Sequence, residues 1–294
     1  MRVRSLGGVG GVAVEGVDLT RLSDDEAREV RRLYDQHGLV VFRGQTLTKP
    51  QVVAACAPFG GAFTDRVAQA VDPEAPGIDV ISTRGYGGDV VPDDPDAVLG
   101  ATEWHTDMGY VTKPNRGKIL YAVRVPEEGG KTGFIDGQMT YRELPEALRR
   151  RIAGLHVVQS WSRLERLRQN SDQRAYRLDG DNQLAPNLFP DVVYPLVHPH
   201  PLSGEMVLNL PPMWADGIVE LPGAEGEALM TELIAHITQA KFQYWHAYEP
   251  GDAVAWDNWR FLHAASGTPG RCVRTIWSVS INAGPEIGRR LEAA

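Results

Sequence analysis

Apolar residues recur along the chain with two different spacings, which predict a mixture of helices and short strands. The capping box Ser23-x-x-Glu26 precedes apolar positions three and four residues apart, a spacing typical of an amphipathic helix, which Gly38 would end. The β-branched and aromatic run Leu39–Phe42 then predicts a buried strand. Further helices are predicted from Thr48 toward Cys56, from the capping box Thr140-x-x-Glu143 onward, and from about Glu225 to about His246.

Between the helices, short apolar runs separated by Gly, Pro, Asn and Asp predict a set of strands. These strands are Lys118–Val125, His156–Gln159, Glu205–Leu208, Ala253–Trp256 and Thr275–Ile281. No linker-like change in composition divides the chain, so residues 1–294 are predicted to form a single domain. The basic stretch Ser162–Gln183 has no clear periodicity and is interpreted as a surface insertion, with a lid over an anionic substrate as the alternative.

The net charge of the chain limits the kinds of partner that it is expected to bind. The 294 residues include 30 Lys and Arg against 38 Asp and Glu, a net charge of −8. Extended binding to nucleic acid or to an anionic membrane needs a basic surface, so neither partner is expected. The apolar runs are too short to span a bilayer. Cys56 and Cys272 form neither a disulfide framework nor a C-x-x-C motif, which favours a reducing compartment and hence the cytoplasm.

The segment Glu103–Tyr110 contains the first candidates for chemistry. His105 and Asp107 are separated by one residue, so on an extended strand their side chains would leave from the same face. An imidazole nitrogen and a carboxylate oxygen placed in this way can occupy adjacent positions around a divalent metal ion. An isolated H-x-D also occurs by chance, and a hydrogen-bonded histidine at the end of a strand is the alternative.

A third candidate ligand lies far along the chain. The Pro250-Gly251 turn leads into an apolar strand and then, after a polar turn, to His263. Two imidazoles and one carboxylate on one side of a metal form the facial triad of non-haem Fe(II) oxygenases, which leaves the remaining positions open. A structural zinc site would be closed, usually by cysteine, and neither cysteine lies near His105 or His263 in the sequence.

Two arginines follow the distal histidine. Arg271 and Arg274 lie at the start of an apolar segment, where a buried guanidinium is costly unless it meets an anion. The planar guanidinium fork suits a carboxylate. Because the two are three residues apart on a predicted strand, they should face opposite sides, and only one is expected to point inward.

The other histidines are interpreted as ordinary. His236 and His246 are predicted to lie on the last helix, where such residues are more often packed or solvated than bound to a metal. His198 and His200 form an H-x-H between prolines, a pattern that can bind zinc but that is given no metal role here.

Several separated motifs occur in one order, and together they resemble the taurine/α-ketoglutarate dioxygenase family, within the Fe(II)- and 2-oxoglutarate-dependent oxygenase superfamily. The resemblance covers most of the chain. Its motifs are LSDDEAREVRRLYDQHGLVVFRGQ beginning at Leu22, WHTDMGY at Trp104–Tyr110, GGKTGFID at Gly129–Asp136, YPLVHPHPLSG at Tyr194–Gly204 and AHITQAKFQYWHAYEPGDAVAWDNWRFLH at Ala235–His263.

The resemblance implies a mainly β fold with flanking helices, built on a double-stranded β-helix (jelly-roll) core. It also implies Fe(II) and 2-oxoglutarate as cofactors. The implied iron ligands are His105, Asp107 and His263. Thr132, 27 residues after His105, and Arg274, 11 residues after His263, are implied to bind the far carboxylate of 2-oxoglutarate, with Arg271 as the alternative arginine.

The implied activity is oxidation by O2 of an unactivated C–H bond in a small molecule, most simply hydroxylation, with release of succinate and CO2. Desaturation, epoxidation or cyclisation with the same cofactors are alternatives, and so is a catalytically silent jelly roll that binds a small ligand. Substrate contacts are expected from a variable loop at about residues 67–101 and from the insertion at about residues 162–183. Relatives form dimers or tetramers, so the resemblance also allows a homo-oligomer.

Two departures from sulfonate-using relatives bear on the substrate. Those relatives carry a second arginine where this chain has Ser278, and an asparagine where it has Ala101. The resemblance therefore argues against taurine as the substrate.

Overall fold

The computed structural model describes residues 1–63, 75, 77–84, 94–163 and 189–291, which are mainly β with some helices. The strands are β1 (Arg2–Ser5), β2 (Val12–Glu15), β3 (Leu39–Phe42), β4 (Ala62–Phe63), β5 (Asp79–Ser82), β6 (Val98–Ala101), β7 (Asn115–Arg124), β8 (Thr132–Asp136), β9 (His156–Gln159), β10 (Val192–Pro195), β11 (Val197–Pro199), β12 (Met206–Leu208), β13 (Ala215–Ile218), β14 (Gln243–His246), β15 (Ala253–Asp257), β16 (Phe261–Pro269), β17 (Thr275–Ala283) and β18 (Arg289–Arg290). The helices are α1 (Asp24–His37), α2 (Lys49–Ala54), α3 (Gly137–Arg142), α4 (Glu146–Ile152) and α5 (Ala224–Ile237).

Two sheets face each other across the interior. The larger sheet has the strand order β1-β2-β3-β15-β7-β17-β4, with β5 also paired to β17, and the second has the order β14-β8-β16-β6. Side chains from both sheets form one apolar cluster, which includes Leu120 and Val254 from the larger sheet and Phe134 from the second. Directly paired residues on antiparallel strands share a face, so His263, which pairs with Phe134, also points into this interior.

Helix α1 covers the outer face of the larger sheet, and its ends are those predicted. The Ser23 hydroxyl accepts from Glu26 N at 3.3 Å, Glu26 Oε2 accepts from Ser23 N at 2.9 Å, and Gly38 ends the helix with φ of 67°. The buried side chains of the helix are Val30, Leu33 and Tyr34. Burying each such side chain contributes about 1.5–3 kcal/mol, which fixes α1 against the sheet.

Other helices cover the outer face of the second sheet. Ile135 and Leu262 point away from the interior and share an apolar cluster with Leu229 and Leu233 of α5. A further sheet of order β13-β9-β10-β18 contributes to the same cluster, and β11 pairs with β12 beside it. The interior is thus enclosed between two sheets that are each covered on the outside.

The predicted capping box at Thr140 is wrong. Asp136, the last residue of β8, is the N-cap of α3, and its side chain accepts from the backbone amides of the two residues after Gly137. Thr140 lies inside α3, where its hydroxyl donates to Gly137 O at 3.1 Å, and α4 begins only after Pro145. A carboxylate that reaches two free amides at once is the stronger cap, so α3 starts before Thr140.

The last predicted helix is too long. Helix α5 ends at Ile237, and the chain returns as strand β14, in which His246 pairs with Thr132 of β8. His246 therefore lies on a strand, not on a helix with His236. The aromatic residues of this segment suit a strand, and pairing with β8 outweighs its helical pattern.

Two strands lie within the predicted substrate loop at residues 67–101: β5, which pairs with β17, and β6, which pairs with β16. The remainder of that loop is largely outside the described residues, as is the insertion at residues 162–183 beyond its first two positions. Among the helices described, none is both long enough and apolar enough to cross a membrane.

Candidate metal and co-substrate site

The backbones of His105 and His263 form an isolated antiparallel bridge. His105 N donates to His263 O at 2.9 Å, and His263 N donates to His105 O at 2.8 Å. The centroids of the two imidazole rings are 4.1 Å apart. The bridge therefore joins two residues that are distant in sequence and places their side chains next to each other.

Asp107 joins the histidines from a turn, not from the strand that the H-x-D spacing predicts. The chain turns immediately after His105, and Met108 has a φ of 54°, a left-handed conformation that is strained for a side chain of this kind. Asn258 holds the turn in place: its Oδ1 accepts from Asp107 N at 2.8 Å, and its Nδ2 donates to Asp107 O at 2.9 Å. The loop after β15 thus fixes the position of the carboxylate.

His105, Asp107 and His263 each offer one ligand atom, and these three atoms lie within 4.8 Å of one another. His105 Nδ1 lies 2.8 Å from Glu103 O and donates to it, which leaves the Nε2 lone pair available. His263 Nε2 lies 3.6 Å from Asp107 Oδ2. The structure therefore brings together all three residues that the sequence suggested as ligands.

The electrostatics of the group suit a cation. Burial lowers the pKa of His105 and lowers the pKa of His263 to about 3, so both imidazoles are neutral at neutral pH and can bind a metal. Burial would raise the pKa of Asp107, but the charge of Lys118, with smaller contributions from the histidines, outweighs it and holds that pKa below its usual value. Asp107 is therefore a carboxylate.

The two oxygens of Asp107 have different surroundings. Asp107 Oδ1 lies 3.5 Å from Lys118 Nζ. Asp107 Oδ2 is buried and has no hydrogen-bond partner in the described part of the chain, and the same holds for His263 Nδ1. A buried polar atom without a partner is costly, and a metal ion beside Oδ2 would remove that cost. The residues present therefore fit a divalent metal bound by two imidazoles and one carboxylate.

Lys118 was not singled out from the sequence as a residue of the site. It lies on β7, where it pairs with Trp256 of β15 and Ser280 of β17, so its side chain points into the interior. A lysine on a strand that is otherwise mostly apolar is the signal that would have identified it, because a buried ammonium needs a nearby anion. Asn258 gave no comparable signal, since its contacts with Asp107 depend on the fold.

Thr132 and Arg274 meet at the ring of Tyr248. Thr132 Oγ1 lies 2.9 Å from the Tyr248 hydroxyl oxygen, and the guanidinium carbon of Arg274 lies 5.7 Å from the centroid of that ring. Arg274 Nε donates to Gly130 O at 3.1 Å. Gly130 has φ of 66°, and a Cβ there would lie 2.5 Å from Pro126 Cγ and 3.0 Å from Arg274 Cδ, so this position requires glycine.

The two arginines have opposite environments, but they do not lie on a strand as expected, because β17 begins only at Thr275. Arg271 has 47% of its side chain exposed and forms ion pairs with Asp96 and Glu128. Arg274 is only 8% exposed, burial lowers its pKa, and none of the carboxylates described in the structure lies within ion-pair distance of it. Arg274 is thus the buried cation that an anionic ligand would stabilise.

Comparisons with known proteins agree with this geometry. A family model described as "Taurine catabolism dioxygenase TauD, TfdA family" matches residues 2–279. The chain is 35% identical over 266 residues to the alpha-ketoglutarate-dependent 2,4-dichlorophenoxyacetate dioxygenase of Cupriavidus pinatubonensis, which covers 85% of this chain and 86% of the relative.

Solved structures are similar over the whole fold. A taurine dioxygenase from Burkholderia xenovorans is 26% identical, with a TM-score of 0.77 over 100% of this chain and 95% of the other. AAD-2 in complex with Mn(II) and N-oxalylglycine is 25% identical, with a TM-score of 0.77 over 97% of this chain and 98% of the other. The resemblance seen in the sequence is confirmed: the chain is an Fe(II)- and 2-oxoglutarate-dependent dioxygenase, and it belongs to the taurine catabolism dioxygenase TauD, TfdA family.

Proposed function

We propose that His105, Asp107 and His263 hold Fe(II), and that Thr132 and Arg274 bind the far carboxylate of 2-oxoglutarate, in an enzyme that hydroxylates a small organic substrate. The observation that carries this proposal is the convergence of three ligand atoms within 4.8 Å, and one oxygen of the carboxylate is buried without a partner in the described structure. This donor set is that of a facial triad, and it leaves the remaining positions around iron open.

The protein's own residues bind and orient the reacting groups. Glu103 O holds the ring of His105, and Lys118 holds one oxygen of Asp107, so the ligand atoms are positioned in advance. Trp256 lies beside His263 with ring centroids 4.7 Å apart, and such apolar walls exclude water from the interior. When bound, iron and 2-oxoglutarate would allow O2 to hydroxylate the substrate C–H bond, with one oxygen atom transferred to the substrate and the other to succinate as CO2 is released.

The position of Thr132 and Arg274 suits a dicarboxylate. Thr132 on β8 and His263 on β16 share the interior face of neighbouring strands, two positions apart in the register. A molecule with a carboxylate at each end can therefore reach the triad with one end and the buried guanidinium of Arg274 with the other. We assign this role to Arg274 because Arg271 is exposed and already paired with two carboxylates.

For the primary substrate, we favour an organic carboxylate, such as the 2,4-dichlorophenoxyacetate named for the Cupriavidus relative, over taurine. Ser278 is fully buried on β17, and its hydroxyl has no partner among the residues described. Ser278 stands where sulfonate-using relatives carry a second arginine, so this position has no charge to hold a sulfonate, and we rank taurine lower for this reason.

We further propose that the two facing sheets form a double-stranded β-helix and that residues 1–294 form one domain that acts in the cytoplasm. The apolar cluster shared by the two sheets supports the first point. Both cysteines are free thiols, which supports a reducing compartment.

Substrate-stimulated release of succinate tests the proposed function. The protein is supplied with Fe(II), 2-oxoglutarate and O2, and succinate is measured with 2,4-dichlorophenoxyacetate, taurine and a panel of other small acids. We expect iron-dependent succinate that a carboxylate substrate increases, and a product that has gained one oxygen atom. A product that has lost two hydrogen atoms would indicate desaturation or cyclisation instead, and no succinate under any condition would favour a ligand-binding protein.

A further inference from the structure

Tyr248 lies at the point where the two residues assigned to the far carboxylate meet. It follows strand β14, is only 7% exposed, and belongs to the apolar cluster of the interior. Its hydroxyl oxygen lies 2.9 Å from Thr132 Oγ1, and its ring is 5.7 Å from the guanidinium carbon of Arg274. Sequence reasoning gave this residue no role.

A count of hydrogens shows that the two hydroxyls have one hydrogen to spare. Tyr248 and Thr132 each carry one hydroxyl hydrogen, and their mutual hydrogen bond uses one of them. In the described part of the chain, each hydroxyl has only the other as a partner. The second hydrogen is therefore available to an acceptor beside Arg274. Burial raises the pKa of Tyr248 to about 12, so the phenol keeps its hydrogen at neutral pH.

Neighbouring residues hold the tyrosine ring in place. The ring of His246 packs edge-on against Tyr248 with centroids 4.6 Å apart and an interplanar angle of 83°. His246 Nε2 in turn donates to Asp252 Oδ2 at 3.1 Å, and Arg43 Nη1 donates to the same oxygen at 2.6 Å. These buried contacts limit rotation of the ring, so the hydroxyl is directed before a ligand binds.

We infer that Tyr248 is a third residue of the far-carboxylate site, where the Tyr248–Thr132 hydroxyl pair donates a hydrogen bond to the carboxylate that Arg274 neutralises. This inference rests on the proposed function, because it takes 2-oxoglutarate to lie between the triad and Arg274. Tyr248 acts on binding of the co-substrate and takes no part in the oxidation. A 2-oxo acid without a far carboxylate cannot accept this hydrogen bond, so Tyr248 does not raise its affinity.

Calorimetric titration of the Mn(II)-loaded protein, which binds the co-substrate without turnover, tests the inference. Two ligands are compared: 2-oxoglutarate, and 2-oxovalerate, in which a methyl group replaces the far carboxylate. For Tyr248→Phe we expect the affinity for 2-oxoglutarate to fall roughly 10- to 100-fold, as for a lost hydrogen bond to a charged group, while that for 2-oxovalerate changes less than about twofold.

Tyr121→Phe is the matched control. Tyr121 is also a buried tyrosine with a bonded hydroxyl, since its Oη accepts from Leu47 N at 3.1 Å and donates to Gln45 O at 3.2 Å, but it belongs to the cluster on the outer face of the larger sheet. We expect this variant to bind both ligands as the wild type does.

Each other outcome is decisive. If Tyr248→Phe binds 2-oxoglutarate as the wild type does, or loses affinity equally for both acids, the inference is wrong and Tyr248 is a structural residue. If the wild type itself binds 2-oxoglutarate no more tightly than 2-oxovalerate, the proposed far-carboxylate site fails, and the inference fails with it. The two failures are therefore distinguishable within one set of titrations.

Discussion

The His200–Asp257 pair and the triad both combine histidine with aspartate, and they differ in how many of their polar atoms have a partner within the protein. In the first, His200 Nε2 donates to Asp257 Oδ2 at 3.1 Å, Trp259 N donates to Asp257 Oδ1 at 3.0 Å, and His200 Nδ1 accepts from Ser203 N at 3.2 Å. In the second, the triad, Asp107 Oδ2 and His263 Nδ1 have no hydrogen-bond partner in the described structure.

The difference supports the proposal that the triad is the site for a ligand. Every side-chain nitrogen and oxygen of His200 and Asp257 has a protein partner, so this pair stabilises the fold and has no open site for a metal. The triad leaves Asp107 Oδ2 unsatisfied at the interior, where an incoming ion would bind it. Both ring nitrogens of His200 are thus occupied by protein partners, although the H-x-H pattern resembles a metal site as closely as the H-x-D of the triad does.

The largest effect is expected from the carboxylate of the triad. Asp107→Asn replaces an anionic ligand oxygen with a neutral amide, so we expect Mn(II) affinity to fall by roughly 100-fold or more and succinate production to fall to background. Titration calorimetry and a succinate assay measure the two quantities. Wild-type-like succinate production by this variant with added iron would rule out the assigned triad.

The second effect separates the two arginines. Arg274→Met removes a buried cation, and we expect the affinity of the Mn(II)-loaded protein for 2-oxoglutarate to fall about 100-fold or more. Arg271→Met removes only exposed ion pairs, and we expect a change below about twofold. The reverse order of effects would show that Arg271 holds the co-substrate.

A smaller effect is expected from the lysine beside the triad. Lys118→Met leaves Asp107 Oδ1 without the neighbour that orients it, so we expect Mn(II) affinity to fall about 10- to 100-fold. Lys241→Met serves as the control, because Lys241 is exposed and pairs with Glu143 on the surface. Equal Mn(II) affinity in the two variants would show that Lys118 does not position the ligand.

The smallest effect on Mn(II) affinity is expected from the His200–Asp257 pair, whose polar atoms all have protein partners. Asp257→Asn replaces the carboxylate that accepts a hydrogen bond from His200 Nε2 with a neutral amide, which weakens or removes that bond. We therefore expect the free energy of unfolding to fall by about 1–3 kcal/mol. Mn(II) affinity should stay at the wild-type value. Chemical denaturation and metal titration of the same sample give both numbers, and a large loss of Mn(II) affinity would contradict the division between the two clusters.

Local chemistry decided which parts of the fold could be predicted. The capping box at Ser23 and the stop at Gly38 depend on residues within one helix, and both are found where they were expected. The box at Thr140 failed because Asp136 caps the helix four residues earlier and Thr140 lies inside it, and the helix expected to reach His246 failed because β8 pairs with that segment. Contacts with other parts of the chain are not visible in the local sequence pattern of a segment.

The site shows the same limit. The proposed iron ligands His105, Asp107 and His263 have side chains that can bind a metal, so residue type and the family motifs suggested them, and the structure brings them together. Lys118 and Tyr248 were not identified, because their contacts with Asp107 and Thr132 arise only when strands distant in sequence pair. The pairing of β7 with β15 and β17, and of β8 with β14 and β16, makes those contacts, and no single segment of the sequence specifies them.

The absorption spectrum of the protein under anaerobic conditions with Fe(II) and 2-oxoglutarate tests the central claim most directly. A charge-transfer band arises when both are bound at one site, so we expect a visible band for the wild type and for Asp257→Asn, and its loss in Asp107→Asn. A wild-type protein without the band, or a band of equal strength in Asp107→Asn, would contradict the assignment of the unsatisfied cluster as the iron site.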